Sequence, residues 1–202
     1  MKRKHLISSL LCSMFLFAGQ QASATTYFLN QSTEFADGIN YAQVDVDANS
    51  AGNLDFTVTA LEPSGYRFSD FYFNLSGDTG TVTLTNLPTG WIADTDQVIS
   101  AFGEFTDGLR KSAGGTLQSI LTFTADGVND LSLANLVTNE VGFMFASHLQ
   151  CNTRDNTCSS VDGATSGHIA GPDISPVPIP GAIWLFGSAL MGFVSMNSRK
   201  KV

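Results

Sequence analysis

Several groups of side chains in this sequence have types and spacings that could do chemistry. Asp45-x-Asp47-x-Asn49 places oxygen donors at alternate positions, as at the start of a calcium loop. Ser50 stands where such a loop turns on glycine, and Phe56 stands where its bidentate glutamate belongs, so half of the pattern is present. Alternating aspartates on the solvent face of a strand explain the spacing equally well. Asp94-Thr95-Asp96 and Asp126-x-x-Asn129-Asp130 are further oxygen clusters at turns. Glu104 and Asp107 could serve as paired glycosidase carboxylates, which must sit about 5–9 Å apart across a cleft. His148 and His168 are the histidines that follow His5. A hydrolase would need one of them beside a nucleophile in a pocket, yet there is no Gly-x-Ser-x-Gly elbow and no His-Glu-x-x-His. A structural role for His148, packed near Cys151, is the plainer reading. Trp91, Tyr66 and Tyr72 could form a stacking platform for a sugar. Against that, Phe dominates the aromatic set, with 15 Phe to 2 Trp and 4 Tyr, which points to core packing. No catalytic residue is assigned.

Cys12 falls in the N-terminal apolar segment, which leaves Cys151 and Cys158. Two cysteines closing a short polar loop in an exported domain pair most simply as a disulfide, contributing about 2–3 kcal/mol. A metal or redox role lacks a second cysteine pair and the Cys-x-x-Cys spacing.

The elements that position these groups read as strands. Leu54, Phe56, Val58 and Ala60 alternate with polar residues, and so do Val82 and Leu84. Phe71, Phe73 and Leu75 share a face in Phe68 to Leu75, as do Leu117, Leu121 and Phe123 in Thr116 to Thr124. The continuous apolar run Val141 to Ala146 predicts a central core strand, and Tyr41 to Ala48 and Gln97 to Phe105 are further candidates. Leu131 to Val137 predicts a short helical turn. Turn signals such as Asp37-Gly38, Gly77-Asp78-Thr79-Gly80 and Pro88-Thr89-Gly90 recur at roughly ten-residue spacing, as in an all-β sandwich. The expectation is an all-β, jelly-roll-like sandwich over residues 25–160, followed by a linker over 161–176. All 18 acidic residues lie between the chain's two apolar ends, against Arg67, Arg110, Lys111 and Arg154, a formal −14. A field of that sign excludes nucleic acid, whose phosphates need a basic face.

The ends of the chain carry addresses. Lys2, Arg3 and Lys4 precede an apolar run from Leu6 to Ala18, and Ala22-x-Ala24 has the small residues that signal peptidase accepts. Residues 1–24 therefore read as a signal peptide, cleaved after Ala24 to leave Thr25 first. At the other end, Val177-Pro178-Ile179-Pro180 leads into an apolar stretch that reads as a transmembrane helix over about 180–197. Arg199, Lys200 and Lys201 come after it, and by the positive-inside rule they stay cytoplasmic.

This tail over 177–202 resembles the PEP-CTERM sorting signal of exported bacterial proteins, in a variant with Ile179 where the usual motif has Glu and a Trp184-Leu185-Phe186-Gly187-Ser188 run behind it. The resemblance implies recognition by an exosortase-type membrane enzyme and removal of the helix near the proline motif. Phe143 to Gln150 and Ser166 to Gly171 are similar to the closing strands of many passenger domains of that family, which supports a sandwich and assigns no chemistry. The family resemblance and the acidic domain together predict a non-catalytic surface or extracellular-matrix protein associated with exopolysaccharide. It would pass through an inner-membrane intermediate with its domain in the periplasm. The alternatives are a carbohydrate-binding or adhesive module, which calcium could assist, and, more remotely, a hydrolase. No cofactor other than calcium is implied.

Overall fold

The computed structural model describes residues 23–151, 158, 160 and 163–172. The signal reading of residues 1–22, the motif Val177–Pro180, the helix over 180–197 and Arg199–Lys201 lie outside the described residues. Among the described residues no helix is long and apolar enough to cross a membrane.

Along the described chain run twelve strands: β1 (Ser23–Leu29), β2 (Gln31–Ser32), β3 (Ala42–Ala48), β4 (Leu54–Ala60), β5 (Tyr66–Phe68), β6 (Asp70–Phe73), β7 (Val82–Thr85), β8 (Trp91–Val98), β9 (Glu104–Lys111), β10 (Ile120–Gly127), β11 (Phe145–Cys151) and β12 (Ser166–Gly171). They form two sheets, one ordered β1-β3-β4-β10-β7 and the other β2-β12-β11-β6-β9-β8, with β5 also paired to β11. Every pairing is antiparallel. The all-β reading holds.

Period-2 alternation decides which side chains meet between the sheets. Val44 and Val46 of β3, Phe56 and Val58 of β4, and Leu121 and Phe123 of β10 are buried on one side. Phe71 and Phe73 of β6, Leu109 of β9 and Phe145 and Leu149 of β11 are buried on the other. Phe56 joins the two. Its ring stacks on Phe123 within its own sheet at 4.7 Å and 5°, and meets Phe73 of the opposite sheet at 4.9 Å. Tyr27 meets Phe145 edge-on across the same gap at 5.1 Å. These ring offsets are the favoured ones for aromatic pairs.

Four expectations need correction. Gln97 to Phe105 is not one strand but a hairpin corner. Ser100 and Gly103 have φ 45 and 88, and the turn tucks Ile99 and Phe102 into a small cluster with Phe105, Tyr72 and Ala146. The run Val141 to Ala146 joins the sheet only from Phe145 onward. Gly142 has φ 105, and Val141 is 56 % exposed. The β10 strand starts at Ile120 rather than Thr116. The segment 161–176 is not all linker, because β12 lies within it and extends the domain to Gly171 at least. Its small residues are what seat it. A Cβ on Gly167 would meet the Phe35 ring at 2.6 Å, and one on Gly171 would meet the Phe28 carbonyl at 2.4 Å. The helical turn expected near Leu131 is present as a 3-10 turn over Leu133–Asn135.

Two irregularities shape the second sheet. β5 and β6 succeed one another along β11, with Phe68 opposite Leu149 and Tyr72 opposite Ala146. Three residues thus face two, a bulge at Ser69–Asp70. At the sheet's edge, β8 keeps its register with β9 although Asp96 within it has φ 54.

Replacing Phe56 with Ala should cost about 3–5 kcal/mol of unfolding free energy in urea titrations, as for other large core rings. A loss near zero would mean that the sheets do not meet through this ring.

Candidate functional site

The bulge gathers the most unusual titratable groups. Asp70 is turned so that its Oδ1 accepts from the His148 backbone N–H at 2.7 Å, while its carbonyl accepts from Ser147 Oγ at 2.5 Å. Ser69 N donates to the His148 carbonyl at 3.0 Å, and Ser69 Oγ lies 3.2 Å from Asp70 Oδ2. His148 and His168 are directly opposed on β11 and β12, their rings stacked with centroids 4.4 Å apart. His148 Nδ1 lies 3.2 Å from Ser69 Oγ and 3.1 Å from Gln150 Nε2. With Gln150 donating, that nitrogen is the acceptor, and the neutral ring carries its proton on Nε2. Glu34 reaches the pair from the loop after β2, its Oε2 accepting from His168 N–H at 2.9 Å.

Burial sets the protonation here. It pushes the Asp70 carboxyl up to about 7, against hydrogen bonds from His148 and Ser69 and with help from the charge of Asp94. The residue as a whole keeps partial exposure, so it is the carboxyl group that is enclosed. Burial also lowers His148, and its neighbour His168 lowers it further, while Glu34 acts in the opposite sense. Beside them, Asp94 Oδ2 binds Arg110 Nε at 3.0 Å and the Tyr72 hydroxyl at 3.1 Å. Burial, then Asp70 and Asp94, hold the Tyr72 phenol protonated.

Ser69, His148 and Asp70 do not make a relay. The aspartate accepts the histidine's backbone N–H and not its ring, which is held instead by Ser69 Oγ, Gln150 Nε2 and the stacked His168. Glu104 and Asp107 stand three residues apart on β9 and so point to opposite faces. Burial, then the charge of Asp96, raises the Asp107 carboxyl. Trp91, Tyr66 and Tyr72 form no platform. All three are buried, with Trp91 Nε1 donating to the Thr116 carbonyl and the Tyr66 hydroxyl to the Ala164 carbonyl.

The residues of the calcium pattern lie along β3 and the turn that follows it. Asp45 lies on the solvent face of β3, accepting from Thr26 Oγ1 at 2.5 Å and Gln43 Nε2 at 2.8 Å. Asp47 is exposed opposite Asp55. Asn49 caps the next turn, its Oδ1 accepting from Ala51 N and Asn53 N. Among the described residues no three His, Cys, Asp or Glu side chains are placed to hold a metal ion. Cys151 and Cys158 are joined as a disulfide, with Cα atoms 5.7 Å apart.

A cleft of about 440 Å³ opens elsewhere on the domain, between the start of β9 and the loop 137–141. Asn139 builds it. Its Oδ1 accepts from three successive backbone N–H groups, Val141, Gly142 and Phe143, and its Nδ2 donates to the Phe102 and Glu104 carbonyls. Gly103 permits the approach, since a Cβ there would meet Val141 at 2.8 Å. The result brings Glu104 and Glu140 to one opening, lined also by the buried Asn74 and the exposed Thr106. Sequence reasoning singled out Glu104 but passed over Ser69, Asp70, Glu34, Asn74 and Asn139. A signal for the bulge was present, because Phe68, Phe71 and Phe73 break the two-residue period between the first and second members.

Asp70 gives the stability a signed pH dependence. Its native value near 7 exceeds the ordinary 3.8, so the folded state holds the extra proton between those values. Stability is therefore full below about pH 4 on this account and falls as pH rises toward about 7. His148, lowered from 6.5, contributes stability that is lost on acidification below that value. Asp70→Asn should raise the urea midpoint at about pH 8 relative to the wild type and lessen its fall between about pH 5 and about pH 8. Equal midpoint differences in both proteins between about pH 5 and about pH 8 would refute the assignment.

No protein-family model, no curated protein and no solved structure matches this chain.

Proposed function

We propose that this chain is an exported, non-catalytic surface or extracellular-matrix protein, processed by an exosortase-type sorting enzyme and associated with extracellular polysaccharide. The observation that carries the reading is the Cys151–Cys158 disulfide, a bond that belongs to oxidising compartments outside the cytoplasm. It agrees with the signal-like start, the sorting-like tail and the formal −14 of the residues between them. The contact of Asp70 with the His148 backbone instead of its ring, and the opposed directions of Glu104 and Asp107, favour a non-catalytic role over a hydrolase. The repeated passage of the chain between its two sheets favours a jelly-roll-like sandwich. The cleft at Asn74 favours a second reading, a carbohydrate-binding or adhesive module, which calcium could assist.

Intact-mass spectrometry on protein recovered from its native host, with and without reductant, tests the first reading. The expected species starts at Thr25, ends near Pro180 and is about two mass units light until reduced. A surface species that still carries Arg199, Lys200 and Lys201 would remove the sorting step and the family inference with it.

A further inference from the structure

Asn74 gives the cleft its chemistry. It comes directly after β6, is 5 % exposed, and accepts from Thr106 N–H through Oδ1 at 3.0 Å. That bond fixes the amide's orientation, because the reversed group would set one donor against another. Nδ2 is then left buried with no acceptor among the described residues. Native structures rarely leave such a donor unserved, and a ligand that brings an acceptor would serve it.

The rest of the lining narrows the ligand. Glu104 and Glu140 are exposed acceptors, and no Lys or Arg lines the cleft, so an anion would be repelled. A bare cation would suit the carboxylates but could accept nothing from Asn74. A hydroxyl group does both, accepting through its oxygen and donating through its proton. Leu75, Val137 and Val141 add an apolar wall for the C–H face of a ring. The volume, about 440 Å³, is within the range of small-ligand sites.

We propose that this cleft binds a neutral saccharide, one of whose hydroxyl oxygens accepts from Asn74 Nδ2 while neighbouring hydroxyls donate to Glu104 and Glu140. The proposal rests on the reading of the domain as a carbohydrate-binding module, and names its site and ligand class. Asn139 fixes the backbone on both sides of the opening through its bonds to Phe102, Glu104, Val141, Gly142 and Phe143.

The test is saturation-transfer NMR and calorimetry on the full chain, expressed with its own signal segment into an oxidising compartment and held in a detergent without a sugar headgroup. The probes are tetrasaccharides of glucose, mannose, galactose and xylose, with polygalacturonate fragments as the anionic control. At least one neutral probe should bind and the anionic one should not. Asn74→Asp keeps the acceptor for Thr106 and removes the donor, and should weaken binding roughly tenfold. Glu104→Gln and Glu140→Gln change exposed groups that leave the core intact, and each should also weaken it. A neutral probe whose binding is untouched by all three substitutions lies elsewhere, which overturns the site and leaves the binding-module reading standing. A folded protein that binds no neutral probe, or prefers the anionic one, overturns both.

Discussion

The structure depends on a layer of phenyl rings that two sheets must share. Neither sheet can bury its apolar face by itself. Phe56, Phe71, Phe73, Phe123 and Phe145 close the gap with ring-to-ring contacts in several orientations. Once those rings are dry, every strand's facing is settled, because a one-residue slip would turn its phenylalanines to water. The polar residues then have no choice but the outer faces, the turns or a local exception to the pleat.

Both places of chemical interest are such exceptions. At Ser69–Asp70 an extra residue is absorbed by a bulge, and a carboxyl that regular pairing would have sent outward is drawn against β11. At Gly103 a left-handed residue lets the loop at Asn139 close over the start of β9. The first exception pairs its carboxylate and its two serine hydroxyls within the protein. The second leaves a buried amide donor over. That difference, more than depth or charge, separates a structural cluster from a place for a ligand.

The strands with clean alternation were legible in the sequence. Leu54 to Ala60 and Tyr41 to Ala48 are nearly where their patterns placed them, because an exposed polar face and a buried apolar face leave one facing open. The corner at Val98–Glu104 was not legible, since its apolar residues Ile99 and Phe102 pack into the turn and read as strand continuation. β12 was hidden by its composition: Ser166, Gly167 and Gly171 look like linker residues, and their smallness matters only once Phe35 and the Phe28 backbone are beside them. The disulfide was legible from spacing and context. The sites were mostly not. Asp70, Asn74 and Asn139 owe their roles to partners tens of residues away, and a short polar side chain in a loop gives no hint of that in advance.

The edge strand β8 has a bearing on life at high local concentration. An eight-residue edge with free amide and carbonyl groups is a template on which a neighbouring copy could stack, sheet upon sheet, into a fibre. Asp96, held at φ 54 in the middle of that edge with Asp94 two residues away, both bends the template and charges it. Crowded copies would meet there with like charge and mismatched pitch, and would stay separate molecules where a flat apolar edge would polymerise.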